Sequence, residues 1–301
     1  MFPPLPSGKI CRGLTVMAAC LSIIPLSATA ADPPSAASSG GKHFLWRVTN
    51  APAPFYLLGS FHALRGSDYP LGSVIDGAIG QCKRFVFEFD VQHADEAGFD
   101  GKMRKAATYP RGTTLKQKVQ PQTYAYIQKI AKIRASEYDH LKPWVLAYMV
   151  GNPLFRGVYT YYGVEGYALR KSGSHDIWGL ETVAEHIHVL SDMTDVEGEV
   201  FLLQTLVYAD REGKHFPDEV AAWKSGDTER LVQMGAAKDR EAPFLTWRLI
   251  DHRNQNWIPK IETAIKEGKK PTMVIVGARH LCGPHNVIGM LQARGYKLEQ
   301  L

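Results

Sequence analysis

Two short apolar runs, more than two hundred residues apart, end in the same way. Phe55 to His62 reads FYLLGSFH and Met273 to His280 reads MVIVGARH. Each is rich in the β-branched and aromatic residues that suit a pleated strand. Each stops at a glycine, Gly59 or Gly277, and delivers a histidine three residues later. Ligands in open α/β sheets gather outside the carboxyl ends of the strands. A chain that sets an imidazole there twice points to an α/β fold in which His62 and His280 form a candidate site. One G-x-x-H carries little weight, and it is the matched pair that carries the argument.

The segments after the two histidines are matched as well. After His62 come the turn Ser67–Asp68–Tyr69–Pro70, a helical stretch near Ser73 to Gln81 and a strand, Arg84 to Phe89. After His280 come Cys282–Gly283–Pro284, a helical stretch near Asn286 to Ala293 and a short strand, Tyr296 to Glu299. The expected fold is a central mixed β-sheet built from two related strand–GxxH–helix–strand halves, flanked by helices. Phe44 to Val48, turned by Asn50 to Pro54 into Phe55 to Leu58, predicts a hairpin that adds an antiparallel edge.

From Asp95 to Gly268 the periodicity is mostly helical, which reads as a large helical insertion in the middle of the chain. Helices are expected over Pro121 to Arg134, Pro143 to Met149, Val164 to Lys171, Asp195 to Asp210, Pro217 to Lys224 and Asp227 to Ala237. A strand is expected at Ser174 to Trp178. A helix is expected over Glu181 to Leu190, with its acid at the favourable end of the dipole. Ala242 to Glu267 reads as one long helix that Pro259 should kink or split.

Glu88, between Phe87 and Phe89, is out of place in a buried strand unless it is paired or binds a cation. A ligand or acid/base role competes with pairing to an arginine, or with a strand end already in water. Arg253 and Asn254 interrupt the apolar stripe of the late helix. An inward Arg253 could steady an oxyanion or hold a carboxylate, and an exposed charged face is the alternative. Tyr159 to Tyr162 could line a cleft. His186 and His188, two apart on one helix, do not share a face and are poor joint ligands.

Residues 1–30 read as a secretory signal peptide. Lys9 and Arg12 form a basic start, Leu14 to Leu26 is apolar but short for a membrane span, and Ala28–Thr29–Ala30 suits a signal peptidase. Residues 31–42 read as a flexible leader and 43–301 as the folded domain. The expected location is exported, periplasmic or secreted, with no stable membrane insertion once the signal is removed. Without Lys9 and Arg12 the formal charge of +5 falls to +3, which gives no support for a nucleic-acid partner. Cys82 and Cys282 fall in corresponding halves of the repeat. A disulfide and two buried thiols are both open to them.

At these positions the chain resembles the TraB/GumN (TIKI-like) family, within a superfamily that includes erythromycin esterases and haem-binding ChaN-like proteins. The resemblance rests on Leu45–Trp46–Arg47–Val48 with Tyr56 to His62, Val86 to Asp90, Lys142–Pro143–Trp144, Gly163–Val164–Glu165–Gly166–Tyr167, Gly179–Leu180–Glu181–Thr182, Arg253–Asn254 and Val276 to Leu281. It implies a divalent-metal-dependent protease in which His62, His280 and Glu88 serve the metal and Arg253 the catalytic centre. Arg279 stands where Gly or Ala is common, and His285 could add or replace a ligand.

The expectation is therefore a secreted divalent-metal-dependent hydrolase, acting on a peptide or small-molecule substrate, with Mn, Co or Zn as cofactor. Three rivals stay open. One is a metal- or haem-binding protein without catalysis. Another is a metal-independent esterase with His62 as general base and Glu88 orienting it. The last is an interaction protein with an idle site.

Overall fold

The computed structural model describes residues 41–301 except 63, 91–92, 95–96, 132–133, 152–162, 173–175 and 209–214. The signal-like segment, most of the leader and Tyr159 to Tyr162 lie outside the described residues. The chain divides into two compact units. The described residues of one fall within 93–151 and 183–216, and those of the other within 41–90, 163–182 and 217–301.

The second unit is built on a six-stranded mixed sheet. Its strands are β1 (Leu45–Val48), β2 (Phe55–Ser60), β3 (Arg84–Phe89), β4 (Asp176–Glu181), β5 (Thr272–Gly277) and β6 (Leu298–Gln300), in the order β4-β3-β5-β2-β1-β6. Every residue of β2 and β5 is buried. Strands covered on both faces read as unbroken apolar runs, which is why these two stood out in the sequence. They are parallel neighbours in register, Gly59 opposite Val276 and Ser60 opposite Gly277. Strands β3 and β4 continue the parallel set on the far side of β5.

The matched halves diverge in their last strand. After β2, helix α1 (Ser73–Gln81) leads to β3, which lies parallel beside β5. After β5, the chain ends in β6, which lies antiparallel beside β1. The outer position expected of β1 thus belongs to β6, and β1 is covered on both sides. The sheet unit also holds α2 (Val164–Ser172), α3 (Phe216–Lys224), of which Pro217 onward belongs to it, α4 (Thr228–Glu241), α5 (His252–Glu267) and α6 (Val287–Gln292).

Two expected boundaries move, and both moves matter for the site. The strand expected at Ser174 to Trp178 begins at Asp176 and runs to Glu181, while the next helix starts only at Val183. Glu181 is therefore a strand-end carboxylate, not a helix-opening acid. The late helical stretch is interrupted at Trp247–Asp251, a π-helical turn, and α5 runs through Pro259 without a break. Pro259 and Gln255 both face solvent, so water can take the carbonyl that the proline leaves without its N–H.

The helical unit packs Pro121–Ala131, Pro143–Gly151 and Asp195–Val207 over Ile127, Leu146, Leu202 and Leu206. Glu199 is buried there and accepts the Gln120 N–H at 2.8 Å and the Thr123 hydroxyl. Among the described residues no helix is long and apolar enough to cross a membrane. Cys82 and Cys282 are free, buried thiols, not a disulfide. Burial pushes them up to about 12 and about 11, away from reactive thiolate.

Gly59 marks the tightest approach under the first G-x-x-H. A Cβ there would lie 2.5 Å from Phe44 Cδ1 and 3.1 Å from Ala278 Cα. Gly59→Ala should lower stability by roughly 1–3 kcal/mol through overpacking, read as a lower urea midpoint. An unchanged midpoint would show that Phe44 yields without cost.

Candidate functional site

Because Ser60 pairs with Gly277, the two G-x-x-H turns leave the sheet side by side. His62 lies two residues past β2, and His280 lies in the short 3-10 turn Ala278–Leu281 that follows β5. Glu88 stands one residue before the end of β3. His62 Nε2 and His280 Nε2 lie 3.9 and 3.8 Å from the same oxygen, Glu88 Oε1. Gly277 leaves the space in which they meet. A Cβ there would sit 3.3 Å from His62 Nε2, 3.4 Å from Glu88 Oε1 and 3.5 Å from His280 Cδ2. Three of the residues nominated from the sequence thus meet at the carboxyl end of the sheet.

Arg253, the fourth, is buried and turned inward from the second position of α5. Its Nη2 donates to Glu88 Oε2 at 2.6 Å and to Glu181 Oε2 at 3.0 Å, and its Nε donates to Glu181 Oε1 at 2.6 Å. Trp257 supports the cluster. It donates its indole N–H to Glu181 at 3.0 Å, lies 4.6 Å from the guanidinium carbon and packs its ring 4.4 Å from that of His280. Burial alone would raise the Glu88 carboxyl. Arg253, with the two histidines and the Gly277 N–H, instead holds it well below the usual carboxylate range. The guanidinium is raised in turn by its two carboxylates against burial. Two carboxylates therefore balance Arg253 before any ligand arrives. The rest of its fork points to Leu249 O at 3.3 Å and His280 Nε2 at 3.4 Å.

Each imidazole has its other nitrogen occupied. His280 Nδ1 lies 2.7 Å from Asn254 Oδ1, and the Asn254 amide donates to the His285 carbonyl at 2.9 Å. That second bond orients the amide, so His280 Nδ1 donates and Nε2 carries the lone pair. His62 Nδ1 lies 2.7 Å from Glu165 Oε1. Burial lowers His280 to about 3. The Glu165 carboxylate raises His62 to about 9. Glu165 itself is lowered chiefly by His62, against burial.

Glu165 is the residue that sequence reasoning missed. It was visible only as part of Gly163 to Tyr167, with no role attached, and its partner is 103 residues away. Its one local signal is an acid in the first turn of a short helix. Glu181 was also unassigned, and its role here is to pair Arg253. Arg279 does not stand beside the cluster as a free charge. Its guanidinium is bound to Asp239 of α4 at 2.6 Å. His285 is exposed and reaches Asn254 through its carbonyl rather than its ring. His188 bonds Asp192, just past the end of its own helix, at 2.8 Å.

In kind, the donors suit a first-row divalent ion: two imidazole Nε2 atoms whose Nδ1 atoms are held by acceptors, and one carboxylate. Their spacing is open, and Glu88 is turned onto Arg253. Among the described residues no group of three or more His, Cys, Asp or Glu is set to hold a metal ion.

A family model described as the TraB/PrgY/gumN family matches residues 44–300. The chain belongs to the TraB/PrgY/gumN family. No curated protein and no solved structure matches it. The TraB/PrgY/gumN match runs from the residue before β1 to the last residue of β6 and includes every member of the cluster.

The two histidines should titrate in opposite directions. In chelator-treated protein, NMR should find His62 protonated up to about pH 9 and His280 still neutral at pH 5. The raised His62 value means that its pairing with Glu165 stabilises the fold fully below its ordinary 6.5 and is lost as the pH climbs through about 9. Its side chain is 60% exposed, so solvent keeps that contribution small. A His62 that titrates near 6.5 would contradict the geometry.

Proposed function

We propose that this chain is an exported hydrolase that cleaves an amide bond, most directly a peptide bond, at the cluster of His62, Glu88 and His280. The observation that carries the reading is the meeting of two imidazole Nε2 atoms on one carboxylate oxygen over the bare backbone of Gly277. His62, His280 and Glu88 would hold a divalent ion, with Mn, Co and Zn all suited to such donors. Bound there, the ion would supply Lewis acidity and a more acidic water. Arg253 keeps Glu88 ionised and fixes its direction. Its Nη1, turned to the Leu249 carbonyl and His280 Nε2, would have to leave those acceptors to meet developing negative charge. The exposed ring of His62 marks the side from which substrate arrives. Export is supported by the basic, apolar and small-residue succession of residues 1–30.

A metal-free version is favoured by one observation, the short His62–Glu165 contact. In it, above about pH 9, where the ring has lost its extra proton, His62 Nε2 takes a proton from water and the water oxygen bonds to the carbonyl carbon. The C–N bond then breaks as that proton passes to the leaving nitrogen. Glu165, at 2.7 Å, would hold the ring in this role, whereas Glu88 lies at 3.9 Å.

A peptide-library digest separates these readings. The metal-dependent reading expects cleavage that chelator abolishes and added Mn(II), Co(II) or Zn(II) restores. The metal-free reading expects no response to chelator. His62→Ala should lower turnover at least about 100-fold under either reading, and His280→Ala should match it under the first. Ion uptake without cleavage would leave a binding protein, and full activity in both variants would remove the site assignment.

A further inference from the structure

The two G-x-x-H histidines leave the sheet from matched frames but are held by unlike partners. Asn254, which holds His280, shares a helix with Arg253. The partner of His62 comes from outside both matched halves, from the second residue of α2. That helix is tied down near the site and beyond it. The Val164 N–H donates to the Phe61 carbonyl at 3.1 Å, one residue before His62. Tyr167 donates its hydroxyl to Asp76 at 2.6 Å, and Lys171 pairs with the same carboxylate at 3.0 Å, both anchoring α2 to α1. These contacts bring the first turn of α2 beside the segment that joins β2 to His62.

Glu165 Oε1 accepts there from two donors, the Ser60 hydroxyl at 2.5 Å and His62 Nδ1 at 2.7 Å. An ionised carboxylate has no hydrogen to give, so Nδ1 carries the proton. The lone pair of the neutral ring is then confined to Nε2, the atom that faces Glu88 Oε1 and the space over Gly277. The opposite tautomer would turn an N–H into that space and serve neither ligation nor proton abstraction. Without a partner, a ring as exposed as this one would exchange tautomers and rotate. The first turn of a helix also favours an acid, which keeps Glu165 ionised where it is needed.

We propose that Glu165, clamped by Ser60, is the positioning residue of the site, dictating the tautomer and ring direction of His62. The inference rests on the hydrolase reading only for what Nε2 then does. A Glu165 that merely stabilised the start of α2 would leave the His62 ring indifferent to its removal.

The test compares wild type with Glu165→Gln, Glu165→Ala and Ser60→Ala, the glutamine variant keeping the size of the side chain should the alanine variant fail to fold. Nitrogen-15 NMR of the His62 ring in ion-free protein at about pH 10, where an imidazole is neutral, reads the tautomer directly. Electron paramagnetic resonance of added Mn(II) reads affinity, and the peptide-library digest reads turnover. The expected result is a single Nδ1–H form in wild type and a mixed or reversed form in both Glu165 variants. Mn(II) binding should weaken by roughly 10–100-fold in those variants, with a smaller change of the same sign in Ser60→Ala. A folded Glu165 variant with the wild-type tautomer and wild-type Mn(II) affinity would overturn the proposal and leave the hydrolase reading standing. A wild type that neither binds Mn(II) nor cleaves peptides would remove the hydrolase reading, and a tautomer change on losing Glu165 would still uphold the positioning role.

Discussion

One buried guanidinium makes the rest of this site possible. Glu88 and Glu181 sit at the ends of β3 and β4, where a parallel sheet gives a carboxylate little water. Uncompensated, either charge would be costly to bury. Arg253 answers both at 2.6 Å, and the planar fork that a lysine lacks is what allows one side chain to bond two carboxylates. With Glu88 held in this way, its second oxygen is free to accept the Gly277 N–H at 2.8 Å and to face both imidazoles.

The sheet supplies the other half of the arrangement. Two parallel strands paired side by side bring their following turns to one edge, whatever their separation in sequence. Symmetry ends at the side chains. One imidazole is buried against Trp257 and a neutral amide, and the other is open to solvent beside a carboxylate. Groups of one chemical type are thereby pushed towards opposite protonation states.

Much of this was legible in the sequence, and the parts that were not have physical reasons. The strands β2 and β5 announced themselves because apolar runs ended by glycine are local signals, and β3 did so through its aromatic and β-branched residues. His62, Glu88, His280 and Arg253 stood out as polar residues in apolar surroundings or at strand ends. Glu181 was misplaced because an acid before an amphipathic run reads as the favourable opening of a helix, and the strand was expected to end at Trp178. Gly179 stands just past that expected end. In the structure it lies inside β4, where a Cβ would come 2.3 Å from the Asp90 backbone nitrogen. Glu165 was passed over because an acid early in a helix has an ordinary explanation and its histidine is far off in the chain. The π-helical turn at Trp247–Asp251 left no mark, since a single extra residue per turn barely disturbs an apolar stripe.

The central claim is that Arg253 is the counter-charge that allows two carboxylates to be buried at the strand ends. Denaturant unfolding of Arg253→Met, set beside the same change in a Glu88→Gln/Glu181→Gln background, measures it. The account predicts a loss of about 3–5 kcal/mol for Arg253→Met alone, from uncompensated buried charge, and a much smaller loss once both carboxylates are amides. An equal loss in the two backgrounds, or almost none in the first, would contradict it.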